Sequence, residues 1–146
     1  GLANGKDWYQ SKLNYFSGVT KPPLDWLSEI QQALKQPHSA DFLLPLTDSH
    51  TKPLVMSYFT QEHQHDGFDW QLEFIDPLQN KRELSEGEQY FWQVMMETDV
   101  GIHYHTWSEQ QARVNLMKRL NVDQLQADWL IEDFVLYPAM SFIFVN

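Results

Sequence analysis

The chain has 146 residues, with 20 acidic side chains against 10 basic ones and a net charge of −10. That surplus argues against a nucleic-acid binder, whose affinity comes from neutralising phosphates with Lys and Arg, and against docking on an anionic bilayer. Hydrophobic residues at 42% and aromatics at 14% exclude a disordered acidic tail, and the length suits one folded domain. Cys is absent, so disulfides, thiol chemistry and Cys-based zinc sites are ruled out. No apolar run approaches the ~20 residues that span a bilayer. The chain opens Gly1-Leu2-Ala3-Asn4, with no Met and no signal-peptide pattern. We read it as a soluble region excised from a larger protein.

In chain order, residues 7–20 carry Trp8, Leu13, Tyr15 and Phe16 and break at Gly18. Lys21-Pro22-Pro23 forms a stiff lead into a helix over Leu24–Gln36, where Leu27, Ile30, Ala33 and Leu34 fall at helical spacing before Pro37 ends it. The pattern then reads as extended: strands over Ala40–Thr47 and Leu54–Thr60, and a period-2 strand over Phe68–Ile75, entered through Asp66-Gly67 and closed by Asp76-Pro77. Ser85 with Glu88 matches a capping box ahead of a helix carrying Tyr90, Phe91, Val94 and Met95 up to Gly101. Ser108 with Gln111 matches a second, ahead of Ala112, Leu116, Met117 and Leu120. Asp123 caps a third helix with Leu125, Trp129 and Leu130, and Phe134–Tyr137 and Ala139–Val145 read as terminal strands.

Two His-x-His pairs, His63-Gln64-His65 and His103-Tyr104-His105, are the candidate metal ligands. On a strand, residues i and i+2 face the same side, so each pair presents two imidazoles to one ion, and Asp66 stands nearby. A divalent transition metal is the cofactor such nitrogens would take. The bland alternative places both pairs in solvated loops beside Asp66-Gly67 and Gly101. The acidic residues Asp25, Glu29, Asp69, Glu73, Glu83, Glu86, Glu88, Glu132 and Asp133 are dispersed, and no spacing marks a catalytic pair. No G-x-S-x-G, H-E-x-x-H, P-loop or G-x-G-x-x-G motif occurs, so no catalytic residue is assigned. Trp70, Phe74, Phe91, Trp92, Phe142 and Phe144 read as core; Trp26 is either an exposed anchor or a residue packed on the N-terminal segment.

The order of elements from Leu24 to Trp107 resembles a PepSY domain, in which a helix is followed by a short antiparallel sheet ending in an Asp-Pro-x-x-Gly-like turn. The residues that carry the resemblance are the helix Leu24–Gln36, the three strands, the run Asp76-Pro77-Leu78-Gln79-Asn80-Lys81, and the aromatic helix Glu86–His105 that ends near a His. Gln79-Asn80 departs from the usual Thr-Gly, and Asn80 can take the positive φ that Gly would. Residues 108–146 lie outside the resemblance as a helical and β extension. It implies a non-enzymatic module on the periplasmic side of a membrane-anchored protein, one that binds or regulates a partner and is linked to iron or metal handling.

The sequence therefore predicts a single α+β domain over residues 1–146, with a helix packed on a small antiparallel sheet, further helices and a terminal β segment. The expected function is extracytoplasmic partner binding or regulation, with a protein partner or a flanking transmembrane region, no nucleic acid and no membrane insertion by this segment. The alternatives are a small acidic immunity or inhibitor protein that binds a basic partner, and a metal-binding protein that uses His63, His65, His103 and His105.

Overall fold

Ser85 opens the helix around which the others pack. Its hydroxyl accepts from the Glu88 N–H at 3.2 Å, while the Glu88 carboxylate accepts from the Ser85 N–H at 3.0 Å, so two otherwise orphaned donors are satisfied. The computed structural model describes residues 5–38, 53–55 and 83–145. Within them the helices are α1 (Gly5–Ser17), α2 (Pro23–Leu34), α3 (Glu86–His103), α4 (Glu109–Arg119) and α5 (Gln124–Leu136), followed by a terminal 3₁₀ helix, Met140–Val145. From Tyr90 to Gly101 every residue of α3 except Gln93 is buried. A helix apolar on all sides belongs in the middle, and α2, α4 and the terminal 3₁₀ helix pack against it.

Each flanking helix is short and locally specified. In α1, Tyr9, Leu13 and Ser17 recur every four residues on the buried face, and Gly18 ends the helix at φ 78°, where Gly carries no Cβ penalty. Proline at the first turn suits α2, because the N–H it lacks would have had no helical partner there. Its buried face is Trp26, Ile30 and Leu34. Both other expected caps form complete boxes, Ser108 with Gln111 on α4 and Asp123 with Gln126 on α5.

The α+β expectation is corrected. Of the described residues 75% are helical, and no strand or sheet occurs among them. The two terminal strands are replaced: Phe134–Leu136 completes α5, Pro138 halts it, and Met140–Val145 winds into the 3₁₀ helix. Phe142, Ile143 and Phe144 favour strands by propensity, but burial of Phe142 and Ile143 against the helices decides their conformation. Leu54 and Val55, expected to open a strand, lie in a buried 3₁₀ turn. The strands at 40–47 and 68–75, the rest of 54–60 and the Asp76–Lys81 turn lie outside the described residues. The helix expected to end at Gln36 ends at Leu34, and the segment from residue 7 is helical.

One close approach fixes the end of α3. The Trp107 ring lies on Gly101, where a Cβ would meet Trp107 Cε3 at 2.2 Å, and the Trp107 N–H donates to the Gly101 carbonyl at 2.9 Å. Gly101→Ala therefore overpacks the site and should lower stability by about 1–3 kcal/mol in urea unfolding. Trp107→Leu in the same background should restore part of that loss.

Candidate functional site

Two polar features and one groove stand out around α3. The first is an ion pair. Glu97, 1% exposed, accepts a fork from Arg119 (Nε at 2.7 Å, Nη2 at 2.8 Å), a bond from Asn115 Nδ2 at 2.8 Å and another from Gln31 Nε2 at 3.2 Å. Four donors from α2, α4 and its C-terminal residue thus converge on one carboxylate, the geometry in which a buried charge is compensated. Thr98 beside it donates to the Val94 carbonyl and accepts from Asn115.

The second is an acid cluster on the opposite side of α3. Asp99 is fully buried, and among the described residues neither of its carboxyl oxygens has a hydrogen-bond partner of ordinary length and angle. Burial pushes its pKa well up; the Tyr9 hydroxyl and the Ala139 backbone, which face it, pull the other way, and Asp133 adds to the rise. Asp133, on α5, accepts from the buried Leu54 N–H at 3.0 Å and so ties residues 53–55 to the bundle; burial raises its pKa to about 7. The Tyr9 hydroxyl is pushed up too, chiefly by burial and then by Asp99. Because the Asp99 oxygens are sealed from water, this cluster bears on stability rather than on a dissolved substrate.

The expected metal ligands fall in different places. His63 and His65 lie outside the described residues. His103 is the last residue of α3 and turns inward: its Nε2 donates to the Phe134 carbonyl at 3.0 Å and stands 3.4 Å from Asp99. Burial lowers its pKa, against a smaller pull from the Phe134 carbonyl, so a neutral imidazole faces a carboxyl held toward its own neutral form. His105 lies beyond the helix end, exposed, edge-on to Tyr104 at 5.2 Å. The same-side argument applied to a strand; here a helix end sends the two rings into different surroundings. Among the described residues no group of three or more His, Asp or Glu could hold a metal ion.

The groove, about 570 Å³, runs between α2, α3 and the terminal 3₁₀ helix. Trp26, Ile30, Trp92, Met96 and Phe144 give it an apolar wall, and Glu29, Glu83, Gln89 and Gln93 supply polar groups. Trp92 leans on Phe144 at 4.5 Å and Trp26 meets Phe142 edge-to-face at 5.3 Å, so the aromatic wall is braced from behind. Trp26 is thus neither a free anchor nor packed on the N-terminal segment alone. Glu29 and Glu83 were legible only as members of a dispersed acidic set; their meeting at one groove depends on α2 crossing α3.

Two measurements test the electrostatics. Removing Arg119 (Arg119→Ala) leaves Glu97 buried and unpaired and should cost about 3 kcal/mol by urea unfolding, the low end for a buried pair because Arg119 keeps some solvent contact. Replacing both partners, Glu97→Met with Arg119→Leu, should recover most of that. For Asp133 the folded-state pKa is raised, so the folded chain binds the proton more tightly than the unfolded one. Its contribution is full below pH 3.8 and is lost as the pH rises to about 7. Asp133→Asn, which keeps the acceptor for Leu54, should remove that decline, a difference on the order of a few kcal/mol between pH 4 and pH 7.

No protein-family model, no curated protein and no solved structure matches this chain.

Proposed function

We propose that the chain is a non-enzymatic, partner-binding domain that takes an apolar, basic segment of another protein into the groove between α2, α3 and the terminal 3₁₀ helix. The observation that carries this reading is the pairing of an aromatic wall (Trp26, Trp92, Phe144) with carboxylates at the same groove (Glu29, Glu83) on a chain of net charge −10. Apolar area supplies affinity and the acidic field steers a basic partner toward it. The regulatory-domain and acidic-inhibitor expectations share this recognition chemistry. The PepSY resemblance remains the support for a periplasmic setting beside a membrane anchor. No described helix is long and apolar enough to cross a membrane.

The test is an NMR titration with a short amphipathic Leu/Lys peptide, alongside its Leu/Glu counterpart. The Leu/Lys peptide should shift the amides of Ile30, Ala33, Gln89 and Gln93, and Ala33→Arg, which fills the groove and brings positive charge, should abolish the shifts. Equal binding of the Leu/Glu peptide, or shifts elsewhere on the surface, would overturn the proposal.

A further inference from the structure

Two of the groove's own side chains already hold an ammonium. Lys21 Nζ sits 4.1 Å from the centroid of the Trp26 ring and 2.5 Å from Glu29 Oε2. An indole face combined with a carboxylate is the chemistry that recognises an alkylammonium, since the ring quadrupole and the anion attract the same charge. Trp26 and Glu29, three residues apart on α2, also line the groove, whereas Lys21 precedes the helix and does not line it. The Lys21 backbone is fixed: its carbonyl accepts from Gln10 Nε2 at 2.8 Å, and Pro22-Pro23 follow it. Its side chain, by contrast, is partly exposed, so its ammonium can exchange with another without moving the backbone.

Resting on the groove reading above, we infer that Trp26 and Glu29 form a lysine socket, which Lys21 fills in cis and which a lysine ammonium of the bound segment takes over when the partner docks. Two other lysines also lie over rings, Lys6 over Tyr104 and Lys12 over Trp8, but neither ring lines the groove and no carboxylate among the described residues completes either pair. The socket is therefore set apart by its carboxylate and its position. A resident lysine lowers the apparent affinity for the incoming one, because only the fraction of molecules with the socket vacated can accept it.

The test uses the full chain and a fluorescein-labelled Leu/Lys peptide, read by anisotropy. Lys21→Ala removes the competitor and should tighten binding about two- to fivefold. Lys12→Ala removes the same charge from a lysine seated on Trp8 and should change affinity less. Glu29→Gln should weaken binding, and acetylating the peptide's lysines should erase the gain from Lys21→Ala. Thermal unfolding by circular dichroism checks that each variant folds. Unchanged or weaker binding by Lys21→Ala, with the peptide still in the groove by NMR, overturns the socket and leaves the groove standing. Failure of every variant and of the parent chain to bind the Leu/Lys peptide overturns both.

Discussion

Three consecutive polar side chains, Glu97, Thr98 and Asp99, sit in the middle of a helix buried on nearly every side. Taking such groups out of water is costly unless partners meet them, and the surrounding helices follow from how each is met. Glu97 draws Arg119 and Asn115 from the α4 side and Gln31 from α2 onto one point, so the crossing of α2 over α3 has a polar pin as well as the apolar contacts of Ile30 and Leu34. Thr98 spends its hydroxyl on the preceding turn and on Asn115. Asp99, one residue further round, faces α1 and the chain end instead, where Tyr9 and Ala139 lie.

The two faces of α3 therefore handle charge in opposite ways. On the Glu97 side a guanidinium meets the carboxylate with two hydrogen bonds. On the Asp99 side no cation is present among the groups that shift its pKa, and burial holds both Asp99 and Asp133 toward the protonated form. His103 follows the same rule from the other direction, kept neutral by burial and committed to the Phe134 carbonyl. The groove is where carboxylates stand beside an aromatic wall instead, with Glu29 and Glu83 next to Trp26 and Trp92.

The groove exists because α2 and the terminal 3₁₀ helix both lean on α3 without closing over it. Trp26 joins these layers: it meets Phe142 edge-to-face in the core, carries Lys21 over its ring, and lines the groove with Glu29. Although only 5% exposed, Trp26 still lines the groove, with the Lys21 ammonium 4.1 Å from the centre of its ring.

Helix starts were legible in the sequence because a capping box is local: Ser85 with Glu88, Ser108 with Gln111 and the Asp123 cap need only residues three apart. The breaks at Gly18 and Pro37 were legible for the same reason. The burial of Glu97 and Asp99 was also within reach, since apolar residues on all sides of 90–102 mark a central helix and anything polar inside it must be buried. What local pattern misjudged was the C-terminal segment, where aromatic and β-branched residues point to strand but Pro138 and packing against α1 and α3 produce a 3₁₀ turn. Likewise His103 and His105 share a face only if extended, and a helix end separates their surroundings. By itself, then, the sequence determined the charge, the caps and the composition of the core. Tertiary structure decided which carboxylates lose water, which keep a cation and which meet an aromatic wall, because those outcomes depend on contacts between residues far apart in the chain, such as Leu54 and Asp133, 79 positions apart.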